Sequence, residues 1–366
     1  MKKVIFSLCL MATYAFAQEP IKVLKQLPAT GIRNQGATGT CWCFSMTALL
    51  EAECLRKSQG EVDLSEMFTV RNIYLEKARN YVLRQGTARF DEGGLGHDVI
   101  NAMSKYGAMP ESAYSGLKNG QSMHVHSKLV KQMKNYLDSL IKKNPLPPNW
   151  IDGITTLLDE SLGRPPQSFD YQGKTYTAKT FANEVLHFNA DDYVYLTSFS
   201  HHPYYTSFIV EVPDNFSNGS YFNVPLDELF KAVDTSIDRG YSVLWDADVS
   251  NSGWRQGKGY AMELADKLSA TAPIEPDLKE RPYSQEIRQQ LYENYTTTDD
   301  HLMLITGTAQ SKGGKKFYQV KNSWGLVGPY KGYIYVSESY FALNTVTLVL
   351  PKAALSTELK AKMSLK

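Results

Sequence analysis

Residues Asn34–Ser45 read N-Q-G-A-T-G-T-C-W-C-F-S, and the rest of the chain is best read outward from them. A loop with two glycines leads to Cys41, which opens an apolar run with Trp42 directly behind it. The pattern predicts a helix starting at Cys41. A thiol at a helix N-terminus has its thiolate stabilised by the helix dipole. Gln35, six residues upstream, can aim an amide N–H at a developing oxyanion, and the glycines let a second backbone approach closely. Residue types and spacing together mark Cys41 as a candidate nucleophile, with Trp42 as its support.

Upstream, Lys2 and Lys3 precede the apolar run Val4–Ala12, and Ala15-Phe16-Ala17 supplies a small-x-small cleavage signal. Residues 1–17 therefore read as a signal peptide, and the protein is expected to be exported, periplasmic or secreted. Cys9 follows Leu8, where a lipoprotein signal needs a small residue, so no membrane anchor is expected. No later stretch reaches the roughly 18 apolar residues of a transmembrane span. The 39 basic and 38 acidic residues give a net charge of +1. Without the two leader lysines it becomes −1, which points away from nucleic acid and anionic membranes. Aromatics at 12%, with 23 tyrosines, argue for a packed core rather than disorder.

Cys41, Cys43 and Cys54 remain after the leader, an odd number that suggests a free thiol. On one helix Cys43 and Cys54 are about 16 Å apart, beyond the roughly 7 Å that a disulfide tolerates. The reading is a disulfide-free chain with Cys41 as the accessible thiol and Cys43 as an inert buried position.

Helical patterns are expected over Cys41–Arg56, Leu64–Val82, His97–Tyr106, Lys128–Lys143 and Ile151–Ser161. Beyond the break at Arg164-Pro165-Pro166 the pattern becomes strand-like. Short β-rich runs lie at Tyr193–Leu196, Ser207–Val210, Tyr241–Trp245, Leu302–Thr306, Phe317–Val320, Tyr333–Val336 and Thr345–Leu350. A helix-rich first half and a strand-rich second half imply an α+β architecture with two lobes.

A nucleophilic Cys needs an imidazole and a group to orient it. His97, His124, His126 and His187 read as core or surface histidines. His201-His202 invites a metal reading, but no acid or Cys stands at ligand spacing nearby, so no metal and no cofactor are expected. His301 heads the run Leu302–Ile305, and the turn Lys312-Gly313-Gly314-Lys315 returns the chain to Asn322-Ser323-Trp324-Gly325. A hairpin of that span sets Asn322 beside His301. The Asn amide oxygen can then fix the tautomer, with Trp324 covering the bond.

These residues, Gln35, Cys41-Trp42, His301 and Asn322-Ser323-Trp324-Gly325, resemble the papain superfamily of cysteine peptidases. Papain-type chains place His and Asn about 130–150 residues after the Cys, whereas His301 follows Cys41 by 260. That excess resembles the bleomycin hydrolase and bacterial aminopeptidase C branch, which carries a helical insertion. Asp91-Glu92-Gly93-Gly94, Leu162-Gly163-Arg164-Pro165-Pro166 and Asp192-Tyr193-Val194 extend the likeness.

The resemblance implies a two-lobed papain-like fold: a helical left lobe, an antiparallel β right lobe and a helical insertion at about 115–190, in one peptidase domain over 18–366. It implies a Cys41–His301–Asn322 triad with Gln35 in the oxyanion hole. Gly93 and Gly94 would bind an extended peptide through their backbone. It also implies peptide substrates, a thiolate–imidazolium pair at rest and hexamers with internal active sites. That branch uses a C-terminal arm to confine cleavage to free N-termini, and Pro351–Lys366 reads as too short to supply one. Endopeptidase activity through an open cleft, or acyl transfer to an amine, therefore stands beside aminopeptidase activity.

Overall fold

The computed structural model describes residues 20–365 except 119, 267 and 270. The expected leader at 1–17 lies outside the described residues. In chain order, β1 (Ile21–Gln26) precedes three helices, α1 (Cys41–Arg56), α2 (Glu66–Leu83) and α3 (Gly96–Tyr106). Next come α4 (Ser127–Leu140), α5 (Ile151–Leu162), the hairpin β2 (Phe169–Tyr171) and β3 (Lys174–Tyr176), and α6 (Ala178–Glu184). The remainder begins with β4 (Tyr193–Thr197), β5 (Ser207–Ile209), β6 (Ser220–Asn223), α7 (Leu226–Asp238) and β7 (Val243–Ala247). It continues through β8 (Trp254–Arg255), β9 (Tyr260–Ala261), α8 (Gln285–Glu293), β10 (His301–Ser311) and β11 (Lys316–Lys321). It closes with β12 (Tyr333–Ser337), α9 (Glu338–Asn344), β13 (Thr345–Pro351) and α10 (Thr357–Lys362).

The mixed α+β class expected from the sequence is the one found. Eleven described strands form one sheet in the order β5-β6-β4-β13-β7-β10-β11-β12-β9-β8, with β1 added to β10. Most pairs are antiparallel; β4–β6 and β9–β12 are parallel.

Two cores flank this sheet. On one face, Leu244, Leu302, Leu304 and Val349 pack with α1, α2 and α3. Helices α4, α5 and α6 join the same core through Leu129, Met133, Leu137, Ile154, Leu158 and Phe181. On the other face, Val243, Trp245, Met303 and Ile305 pack with α7 and with Leu355, Leu359 and Met363 from the end of the chain. The alternation of Leu244 with Val243 and Trp245, and of Leu302 with Met303, is the two-residue period of a strand buried on both faces. Residues Leu355 to Met363 thus sit across the sheet from α1. Lys362 Nζ bonds Glu228 Oε1 of α7 at 2.7 Å, and the Arg239 guanidinium donates to the Leu355 carbonyl.

The strand-rich half proved less uniform than its sequence pattern. Helices α7, α8 and α9 interrupt it, each with two or more buried side chains against the sheet or its neighbours.

Candidate active site

Helix α1 starts at Cys41, and 14 of its 16 residues are buried. Its N-cap, Thr40, makes no side-chain cap, so the first-turn N–H groups are not consumed by one. Ahead of it, Gly36 turns the loop at φ +70°, a left-handed conformation natural to glycine, and a Cβ there would strike the His124 carbonyl. Cys41 itself is only 7% exposed, so the thiol expected to be accessible is enclosed. Helix α1 packs against β10, a central strand held between β7 and β11, and the Leu302 N–H faces the thiol. Cys41, Cys43 and Cys54 are all free thiols, and Cys43 is fully buried with its Sγ against the Glu66 carbonyl at 3.3 Å.

Burial pushes the Cys41 thiol up to about 12; the Asp299 and Asp246 carboxyls push the same way, while the N–H groups of Leu302 and Trp42 oppose it. Burial also drives His301 down to about 4, against the hydrogen bond to Asn322. Both directions favour a neutral thiol and a neutral imidazole in the closed cleft. Desolvation penalises either charge alone, so the expected thiolate–imidazolium pair would have to offset that penalty by the attraction of the two charges formed together.

His301 opens β10, and Asn322 follows β11 directly. The hairpin brings His301 Nε2 to Asn322 Oδ1 at 2.8 Å. The amide orientation is fixed from both sides. Asn322 Oδ1 also accepts from Ser323 N at 2.7 Å, and its Nδ2 donates to Gln256 Oε1 at 3.1 Å. Gln256 Nε2 in turn donates to the Tyr333 carbonyl at 3.2 Å. An acceptor at Asn322 Oδ1 requires a proton on His301 Nε2, leaving Nδ1 as the base. Trp324 stacks on His301 with centroids 4.6 Å apart and covers this bond, while Trp254 packs edge-on against Trp324. Gln256 was invisible to sequence reasoning, for it lies in a short turn between β8 and β9, with no motif around it.

Gln35 is held at both ends. Its Oε1 accepts from Ser323 Oγ at 2.7 Å, and its Nε2 donates to the Thr38 carbonyl at 2.7 Å. An amide has two N–H bonds, so one remains to point elsewhere. Trp42 is fully buried and donates through Nε1 to the Glu92 carbonyl at 3.0 Å; Glu92 Oε2 accepts from Gly39 N at 2.6 Å. These contacts tie the Gln35–Cys41 loop to the Gly93-Gly94 segment.

The two glycines have packing reasons of their own. A Cβ on Gly93 would run into the Asp214 carboxylate, and one on Gly94 would lie 3.0 Å from the Trp42 ring. The Gly93 N–H donates to Asp91 Oδ1 at 3.2 Å, and its carbonyl accepts from Lys77 Nζ. The peptide-binding backbone expected at Gly93 is therefore already engaged within the chain.

At His201-His202 the sequence showed no acid at ligand spacing, yet the fold brings Glu211 to both rings, with His202 Nε2 at 2.7 Å and His201 Nε2 at 3.3 Å. The three could hold a metal by proximity. The hydrogen bonds argue otherwise. Gln289 Oε1 accepts from Ser200 N, so its Nε2 must donate to His201 Nδ1 at 2.9 Å. That leaves the proton of neutral His201 on Nε2, directed at Glu211, where a metal would need a lone pair. Pairing with the two histidines lowers the Glu211 carboxyl despite its partial burial. The cluster is a hydrogen-bonded network.

The Peptidase C1-like family matches residues 17–366. Aminopeptidase G of Lactobacillus delbrueckii subsp. lactis is 24% identical over 93% of this chain and 85% of its own length. Aminopeptidase C of Streptococcus thermophilus is 24% identical over 89% and 81%, and bleomycin hydrolase of Gallus gallus 22% over 94% and 86%. Among solved structures, PepW from Lactobacillus rhamnosis HN001 superposes with a TM-score of 0.73 at 20% identity, over 93% of this chain and 84% of that one.

Proposed function

Because the chain belongs to the Peptidase C1-like family and is an aminopeptidase C/bleomycin hydrolase-like cysteine peptidase, we propose that Cys41 is its nucleophile, His301 its general base and acid, and Asn322 the residue that orients the imidazole. The observation that carries this reading is the 2.8 Å bond from His301 Nε2 to Asn322 Oδ1, sealed by the Trp324 ring, at the start of the central strand against which helix α1, headed by Cys41, packs.

In this reading His301 Nδ1 takes the thiol proton as sulfur attacks the scissile carbonyl. A neutral pair at rest makes the transfer part of the attack. The charges then arise together, and each stabilises the other in a low-dielectric cleft. The oxyanion meets the remaining N–H of Gln35 and the Cys41 backbone N–H. His301 then returns the proton to the leaving amine, and water repeats the sequence on the acyl-enzyme. Hydrolysis of exported or imported peptides fits the signal-like residues 1–17.

Cys41→Ala tests the assignment. Turnover of peptide amides should fall by at least about a thousandfold, with little change in the melting curve, since one sulfur leaves a site that is polar on its open side. Labelling by an epoxide thiol reagent should move with it. Activity surviving in Cys41→Ala would remove the nucleophile from this proposal.

A further inference from the structure

The neighbourhood of Cys41 holds carboxylates that the reaction above does not use. Asp246 lies on β7 directly opposite Leu302, the residue whose N–H faces the thiol, and Asp299 lies two residues before His301. Residues paired across antiparallel strands are about 5 Å apart at Cα, so Asp246 is one strand spacing from the wall of the nucleophile. Asp246 is 1% exposed; its Oδ2 accepts from Thr347 Oγ1 at 3.0 Å, and apart from the Asp299 carboxyl, with which Asp246 shares a hydrogen bond, its Oδ1 has no donor. Asp299 is half-buried, and its enclosed Oδ2 has no donor outside that acid pair. Asp214, the carboxylate over Gly93, has a third such oxygen, Oδ1, with the Arg89 guanidinium 3.3 Å away. Neither Asp246 nor Asp299 takes part in an ion pair with Lys, Arg or His among the described residues.

Buried carboxylate oxygens without donors are costly, and two acids facing each other cannot both ionise unopposed. Burial raises both carboxyls, Asp246 to about 7; Asp246 raises Asp299 further, while the hydrogen bond from Asp299 draws Asp246 back down, in accord with a pair that shares one proton and keeps one negative charge. A cation with several N–H donors suits such an arrangement. A peptide whose first carbonyl lies at Cys41 carries its α-nitrogen about 2.5 Å from that carbon, on the side away from the leaving group.

We propose that Asp246 and Asp299 form an anionic subsite beside Cys41 that binds the free α-ammonium of a peptide's first residue, with Asp214 extending the acidic wall over Gly93. Asp246 is the floor and half-buried Asp299 the mouth. The inference rests on Cys41 as nucleophile and deepens that reading, since it makes the enzyme select N-termini with residues of its own sheet. It has a second consequence. Burial chiefly holds the thiol protonated and the two carboxyls add to it, so a bound ammonium both places the peptide and relieves that added charge.

The experiment compares a short peptide amide with its N-acetyl twin on wild type, Asp246→Asn, Asp299→Asn and the double variant at pH 8, with iodoacetamide alkylation of Cys41 measured in parallel. Wild type should cleave the free peptide and spare the acetylated one. Each single variant leaves one carboxylate and should raise KM severalfold. The double variant should raise KM by about 10- to 100-fold, the worth of a charged hydrogen bond. The same double variant should alkylate faster than wild type, because it removes negative charge near the thiol. A merely structural defect would slow both reactions. Equal cleavage of free and acetylated peptides by wild type, or an unchanged KM in a folded, alkylatable double variant, overturns the subsite. Preferential cleavage of an acetylated peptide bearing Lys beside the scissile bond also overturns it, assigning the pocket to a side chain instead. Loss of alkylation in wild type would instead strike the nucleophile assignment on which the subsite rests.

Discussion

Two polar groupings adjoin Cys41, and they are built on opposite rules. On the Asn322 side the hydrogen bonds run in an unbroken line from the Tyr333 carbonyl through Gln256 and Asn322 to His301, under the Trp324 ring. On the Asp246 side a buried acid pair has Thr347 and its own shared proton, but no Lys, Arg or His in an ion pair with it among the described residues. A satisfied network resists rearrangement because every alternative loses a bond, so it is the kind of structure that holds an imidazole in one orientation. An unsatisfied one is destabilising until something arrives, so it is the kind that binds. The contrast separates the part of the site that positions from the part that selects.

The largest expected effect on the satisfied side is at Gln35. Its clamp between Ser323 and Thr38 leaves one N–H for the oxyanion. Gln35→Ala should cost about 2.7–4 kcal/mol of transition-state stabilisation, a kcat loss of about 10²–10³ with KM nearly unchanged. A loss confined to KM would show that Gln35 binds the ground state, and the oxyanion role would fall. Steady-state kinetics on one good peptide amide decides it.

Gln256 comes next. Gln256→Ala frees Asn322 Nδ2, but the Ser323 N–H still holds Asn322 Oδ1 toward His301. One of two restraints is lost, so a reduction in kcat of about tenfold is expected, well short of the roughly 10⁴ that a wrong tautomer costs a related triad. If Gln256→Ala matched a full loss of Asn322, the Ser323 bond would contribute nothing to orientation. If it changed nothing, the line beyond Asn322 would be structural only.

How much of this was legible beforehand follows the same division. Cys41, His301 and Asn322 could be found because nucleophilic chemistry demands particular residue types, and short motifs surround each one. The helices of the first half were legible within one to three residues at most ends, because long apolar periodicity is a strong signal. Helices α7, α8 and α9 were not, being short segments set among strands, whose order is decided by packing on the sheet. Gln256 reaches Asn322 across 66 residues, and Glu211 meets His201-His202 only because β5 and the loop after it fold back. Asp246 was hidden for another reason. Val243-Leu244-Trp245 reads as a buried apolar strand, and an Asp at its end looks like the signal that stops it. Only the register with β10 turns it inward beside Leu302.

The smallest effect is thermodynamic, and it addresses the unsatisfied side without any substrate. Burial raises the Asp246 carboxyl from 3.8 to about 7, so between about pH 4 and 7 the folded chain holds a proton that the unfolded chain has lost. Stability must therefore fall as pH rises through that window, and the penalty is complete above about pH 7. Buried His301 slopes the opposite way. Its lowered affinity for a proton means that stability is lost as pH falls from 6.5 toward about 4. Asp246→Asn keeps an acceptor for Thr347 Oγ1 and removes only the first slope. Its melting temperature should exceed that of wild type by about 2–4 °C at pH 8 and match it near pH 4, where the wild-type carboxyl is already protonated. Thermal melts at the two pH values give the difference directly. A lower melting temperature at pH 8 would mean that the charged carboxylate already has a stabilising partner in the free enzyme. The pocket would then belong with the satisfied side of the site, and it would have no vacancy to offer an ammonium.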